Sequence, residues 1–112
     1  MNESNTLRAA MLAISAAGGV VFRNNVGLAV YPDGTRVRYG LAPGSSDLIG
    51  WRSVVITPEM VGQRVAVFVA VEVKTATGRA TPQQLNFIQQ VQQAGGIAGI
   101  VRSADEARGL ML

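Results

Sequence analysis

The period of the apolar positions changes several times along the chain, and each change predicts an element. Leu7, Met11, Leu12 and Ile14 recur at helical spacing and stop at Gly18-Gly19, so a first helix is expected from about residue 3 to 17. Val20-Val21-Phe22-Arg23-Asn24-Asn25 then reads as a short strand. Leu28-Ala29-Val30-Tyr31 and Thr35-Arg36-Val37-Arg38-Tyr39 flank Pro32-Asp33-Gly34, the pattern of a hairpin. Alternation along that second strand puts Arg36 and Arg38 on one face. A loop rich in glycine, proline and serine follows over residues 40 to 46.

Asp47-Leu48-Ile49-Gly50-Trp51 leads into Val54-Val55-Ile56, read as a second core strand or a pair of strands. Residues 57 to 64 connect it to the most apolar run of the chain, residues 65 to 74, expected as a central buried strand. Thr81-Pro82-Gln83-Gln84 carries the marks of a helix start: Thr81 as N-cap, Pro82 in the first turn and Gln84 closing a capping box. Leu85, Ile88, Val91 and Gln92 continue that helix to Gly95-Gly96, and Ile97 to Val101 form a last strand. Ser103 and Glu106 mark a second capping box and a short final helix. The order is helix, three or four strands, helix, strand, helix: an α/β fold in which the last strand–helix–strand unit implies a parallel pair within a mixed sheet.

At 112 residues the chain is expected to form one domain, residues 1–112. Hydrophobic residues make up 48% and the mean hydropathy is +0.25, an apolar surplus that suits a partner subunit. No apolar run reaches the roughly 18 to 20 residues of a membrane span, and the polar start lacks the pattern of a signal peptide. A cytoplasmic protein with no membrane partner is expected. There is no cysteine and no histidine, which excludes disulfides, thiolate or imidazole zinc sites and Ser-His-Asp chemistry. A metal would be held by oxygen alone, which favours magnesium or manganese. Net charge is +3, and nine of the ten basic residues are arginine, a residue that binds phosphate bidentately.

The one lysine, Lys74, ends the triplet Glu72-Val73-Lys74 at the close of the apolar run. Glu72 and Lys74 share a strand face, while the Val73 carbonyl lies beside the Glu72 carboxylate and is available to a cation. If Asp47 begins a neighbouring strand, its carboxylate can converge with Glu72 on one metal, with Lys74 holding or deprotonating the attacking water. The plainer alternative is a Glu72–Lys74 ion pair at a strand end, with Asp47 capping a turn. An acidic triplet of this kind is common, so spacing alone leaves both open.

The wider pattern is more specific. Phe22-Arg23-Asn24-Asn25, Tyr39-Gly40-Leu41, Gly44-Ser45-Ser46-Asp47-Leu48-Ile49-Gly50 and Val71-Glu72-Val73-Lys74-Thr75 are followed by Gly78-Arg79, Pro82-Gln83-Gln84, Phe87, Gly95-Gly96 and Val101-Arg102-Ser103. In that order they resemble the PD-(D/E)XK nuclease superfamily, and more closely its VRR-NUC (virus-type replication-repair nuclease) family. Two departures stand out: Ser46 replaces the usual proline before the acidic residue, and Ser103 replaces the second arginine of the naming motif. The resemblance implies a restriction-endonuclease-like core with a mixed sheet flanked by helices, in the order α-β-β-β-α-β-α. It implies that Asp47, Glu72, the Val73 carbonyl and, on the first helix, Glu3 hold Mg2+ or Mn2+. Lys74 would be the base or water-orienting residue, and Gln84 would help to position Lys74 or the phosphate.

Arg23, Arg36, Arg38, Arg79 and Arg102 are the candidate phosphate contacts, and Arg102 alternatively locks the carboxylate cluster. Asn24 and Asn25 read as the end of a strand. Trp51 reads as core rather than a base-stacking platform. Small members of the family resemble phage and bacterial proteins that act on branched DNA. The expected activity is therefore a metal-dependent DNA endonuclease, specifically a Holliday-junction resolvase working as a homodimer in a bacterial or phage-infected cell. The alternatives are a flap- or end-directed nuclease, or a non-catalytic DNA-binding accessory protein.

Overall fold

A computed structural model describes residues 2–111. The fold divides after Arg52 into a first unit and a second unit that starts at Ser53.

In the first unit, helix α1 (Glu3–Ala16) starts at Asn2, whose side chain accepts from the Asn5 N–H at 2.9 Å and satisfies one of the helix's unpaired donors. Its inner stripe is Leu7, Ala10, Met11 and Ile14, each half-buried, whereas Leu12 is 73% exposed and turns away from that stripe. The helix packs on strand β1 (Gly19–Arg23), where Gly19 leaves no Cβ to collide with Ile14.

Strands β2 (Gly27–Val30) and β3 (Arg36–Tyr39) form the expected antiparallel hairpin, with Val30 opposite Arg36 and Gly27 opposite Tyr39. Its turn is fixed by Asp33, which accepts from the Thr35 N–H at 2.9 Å, and by Gly34 at φ 90°. The Thr35 backbone bond holds the Asp33 carboxyl below the usual carboxylate range. This contribution is complete above the unfolded carboxyl's pKa and fades as pH falls through the lowered folded value.

Strand β4 (Leu48–Arg52) pairs antiparallel with β1, from Arg23↔Leu48 to Gly19↔Arg52. Gly50 sits so close to the Val20 carbonyl that a Cβ there would lie 1.8 Å from it. Half-buried Trp51 packs on Phe22 with ring centroids 5.7 Å apart, in agreement with a packing role.

The second unit corrects the extent of the apolar strands. Val54-Val55-Ile56 forms no strand, and Val55 and Ile56 are 86% and 76% exposed. A 3-10 turn over Pro58–Met60 follows. Only Val69–Val73 of the long apolar run forms a strand, β5, and Val69, Val71 and Val73 on its outer face are exposed. The alternating apolar run is thus a strand with one covered face rather than one buried on both sides. Helix α2 (Pro82–Gln93), strand β6 (Ile97–Val101) and helix α3 (Ala104–Leu110) complete the unit.

Strands β5 and β6 pair in parallel, Val69↔Ile97 to Val73↔Val101, as the strand–helix–strand order requires. The buried core is Ile88 and Val91 from α2 with Ala98 and Val101 from β6. Among the described residues the strands bond in three two-stranded ladders, two antiparallel and one parallel, and five strands precede α2. The mixed-sheet expectation is met only to the level of an α/β chain with short sheets of both kinds.

Candidate active site

The α2 N-terminus and the end of β5 are built for each other. Thr81 Oγ1 accepts from the Gln84 N–H at 3.1 Å, and Gln84 Oε1 accepts from the Thr81 N–H at 2.9 Å, so the predicted capping box is complete. That second bond fixes which end of the amide is oxygen. Gln84 Nε2 therefore faces β5 and donates to Glu72 Oε1 at 2.9 Å. Lys74 Nζ lies 3.4 Å from the same oxygen. Both contacts fall on Oε1, and no hydrogen bond engages Oε2 among the described residues.

Burial raises the stakes of this arrangement. The Lys74 and Glu72 side chains are 20% and 31% exposed, so each is partly desolvated yet open to a ligand. Beside them an open cleft of about 560 Å³ runs between the inner face of β5 and α2, lined by Ala70, Glu72, Thr81, Gln84, Phe87 and Ile88 among others. The predicted shared face of Glu72 and Lys74 is the face turned to α2.

The backbone is equally ordered. The Ile97 N–H donates to the Phe68 carbonyl and the Lys74 N–H to the Val101 carbonyl. Even-numbered residues of β5 thus direct their backbone groups to β6, and the Val73 carbonyl points to the opposite edge of the strand. Arg102 secures the turn that follows: its Nη1 donates to the carbonyls of Thr75 and Gly78, the latter at 2.6 Å. Within that turn the Gly78 N–H donates to Thr75 Oγ1 at 3.1 Å. Of the two roles open to Arg102, the geometry displays a lock, placed on the loop after Lys74 rather than on the carboxylates. The second predicted capping box is only half formed: Ser103 Oγ accepts from the Glu106 N–H at 3.1 Å, but Glu106 Oε1 accepts from the Arg102 N–H at 2.8 Å instead of from the Ser103 N–H.

Asp47 and Glu3 belong to the first unit. Asp47 is exposed and immediately precedes β4, with its carbonyl accepting from the Asn24 N–H at 2.8 Å. Glu3 is exposed in the first turn of α1. Arg23 ends β1, Arg36 and Arg38 lie along exposed β3, and Arg79 follows the Gly78 turn, all exposed. The structure therefore brings Glu72, Lys74 and Gln84 into one cluster and places Val73 beside it.

No group of three His, Cys, Asp or Glu side chains is gathered among the described residues. The donors at the cluster, Glu72 Oε2 and the outward Val73 carbonyl, are both hard oxygens and suit a magnesium-type cation. They would supply part of a coordination shell, with further carboxylate, phosphate or water oxygens needed to complete it.

A VRR-NUC domain model matches residues 34–105, well over half the chain. The chain belongs to the VRR-NUC family. No curated protein and no solved structure matches it. The VRR-NUC match takes in Asp47, Glu72, Val73, Lys74 and Gln84, together with Arg36, Arg38, Arg79 and Arg102, and leaves Glu3 and Arg23 outside it. As a VRR-NUC domain the chain is of nuclease type, with DNA as its substrate. No helix among the described residues is long and apolar enough to cross a membrane.

Two contributors were not legible as such in the sequence. Asn24 read as a strand end, yet its amide ties down the loop before Asp47. Thr75 and Gly78 form the turn that Arg102 clasps. A small polar residue three positions before a glycine was the available signal for that turn.

Proposed function

We propose that the whole chain, 1–112, is one PD-(D/E)XK-type nuclease domain that hydrolyses phosphodiester bonds in branched DNA with Mg2+ or Mn2+. The observation that carries this reading is the Glu72–Lys74–Gln84 cluster at the end of a parallel strand, beside an open cleft. A DNA-binding accessory protein has no use for a partly buried carboxylate, which repels phosphate.

When bound, the divalent cation polarises the phosphate and acidifies a water. Glu72, Asp47 and the Val73 carbonyl are the donors assigned to it, with Glu3 as a further carboxylate. Gln84 holds the Glu72 carboxylate in one orientation by engaging Oε1. Lys74 directs the attacking water at phosphorus, in line with the oxygen that leaves. The water oxygen forms the new bond to phosphorus as the bond to the departing oxygen breaks. Arg23, Arg36, Arg38 and Arg79 bind flanking phosphates, and the remaining guanidinium donors of Arg102 add to that surface.

Four-way junctions are the preferred substrate in this reading, because resolution needs two symmetric nicks and a homodimer supplies two sites. The exposed Val55, Ile56 and Val61 offer apolar surface to such a partner. A cytoplasmic setting, in a bacterial or phage-infected cell, accompanies it. The test is cleavage of four-way junction, flap, linear duplex and single-stranded DNA, each with Mg2+, Mn2+ or EDTA. Metal-dependent paired nicks in the junction are expected. Preferential cutting of flaps or ends would replace the resolvase by a single-site nuclease, and no cutting of any substrate would leave a binding protein.

A further inference from the structure

Asn24 spends its whole side chain on the segment that carries Asp47. Its Nδ2 donates to Ser45 Oγ at 2.7 Å and to the Ser46 carbonyl at 2.9 Å, while its Oδ1 accepts from the Leu41 N–H at 2.9 Å. Its own N–H donates to the Asp47 carbonyl at 2.8 Å, which extends the β1–β4 ladder by one residue. One half-buried residue thus grips the 41–47 loop at its start, near its end and at Asp47 itself.

The loop has little order of its own. It holds a single internal turn, from the Ser45 N–H to the Ala42 carbonyl, follows Gly40 at φ 81° and passes through Gly44 at φ 85°. Ser46 occupies the position before Asp47, so no proline ring restricts the backbone there. Without Asn24, the Ser46 carbonyl and the Leu41 N–H each lose this partner, and the approach to Asp47 is fixed only by the strand behind it.

We propose that Asn24 is a positioning residue for Asp47: it acts on the site through the backbone of the 41–47 loop and touches neither DNA nor metal. The inference rests on the assignment of Asp47 as a metal donor. Removing a residue that orients a ligand typically costs about 10- to 100-fold in metal affinity or activity.

The test is a double-mutant cycle read by Mn2+ titration calorimetry, by cleavage rate at saturating DNA and by thermal melting. Asn24→Ala should lower Mn2+ affinity and the cleavage rate by about tenfold or more, with metal-free DNA affinity unchanged. In an Asp47→Asn background the same substitution should still lower the melting temperature but leave Mn2+ affinity and rate where Asp47→Asn put them. Ser45→Ala, which removes one grip and keeps the ladder, should give a smaller loss of the same kind and decides the matter if Asn24→Ala does not fold.

Equal losses in both backgrounds would show Asn24 to be merely structural and overturn the proposal. Asp47→Asn that abolishes Mn2+ binding, beside Asn24→Ala or Ser45→Ala that binds and cuts like the parent, would overturn the positioning role alone. Asp47→Asn with intact Mn2+ affinity would remove the metal assignment beneath it.

Discussion

Lys74 is the central residue of the proposed site, and its surroundings suit the one lysine of the chain better than a tenth arginine. A compact ammonium fits beside one carboxylate oxygen at 3.4 Å and leaves the cleft open, whereas a planar guanidinium would span both carboxylate oxygens. The ion-pair reading and the catalytic reading describe the same contact, so sequence spacing had no means of separating them. Of the two roles suggested for Gln84, the capping box is formed by its oxygen, while its nitrogen donates to Glu72 rather than to Lys74.

The two roles of Gln84 separate by substitution. Gln84→Glu keeps the capping oxygen but exchanges the donor to Glu72 for a like charge, while Gln84→Ala loses both functions. Cleavage should fall in both variants. The loss of the reciprocal capping-box bond to the Thr81 N–H, on the order of 1 kcal/mol, belongs to Gln84→Ala alone, in which thermal unfolding should register it even at low pH, where carboxylates are neutral. Wild-type cleavage by Gln84→Glu would show that Glu72 needs no orienting donor.

At the level of elements, punctuation was more legible than burial. Helix α1 stops before Gly18-Gly19, and Thr81 with Pro82 starts α2 where the sequence places it. The hairpin turns at Asp33-Gly34, and the parallel β5–β6 pair follows from the strand–helix–strand order. The misreadings came from apolar β-branched runs. Val54–Ile56 and Val65–Val67 have the composition of strands but no strand partner among the described residues, and composition reports propensity without reporting a partner. Leu12 is apolar and falls within the helical pattern, yet its position turns it outward.

Gly50 shows how a close backbone contact escapes sequence reading. A Cβ at this position would lie 1.8 Å from the Val20 carbonyl, so Gly50→Ala must push β1 and β4 apart. Denaturant unfolding should show a loss of about 1 to 3 kcal/mol. A neutral substitution would mean that the β1–β4 ladder is not packed as closely as described.

For the molecule as a whole, charge and apolar surface carry the expectations. Net charge is +3, and Arg36 and Arg38 lie on the exposed β3 strand. DNA affinity should fall steeply with salt, because each arginine that reaches a phosphate displaces counterions. Replacing Arg36 and Arg38 together by glutamine should reduce the slope of log affinity against log salt by up to about two units. An unchanged slope would move the DNA path away from the hairpin.

Assembly is the second expectation at this scale. Light scattering should report a dimer at micromolar concentration, and mixing wild-type with Lys74→Ala subunits should give heterodimers that nick a junction once without resolving it. A strict monomer, alone and on DNA, would exclude paired incision by a preformed dimer.

The most direct test of the central claim is single-turnover cleavage of a four-way junction in Mg2+ or Mn2+ by the wild-type protein, Glu72→Gln and Lys74→Ala. All three should be matched for folding and for DNA binding. The wild type should cut only with the metal present, and both variants should bind the junction with near-wild-type affinity while failing to cut it. Cleavage by folded Lys74→Ala at the wild-type rate, or cleavage by the wild type that persists in EDTA, would contradict the account.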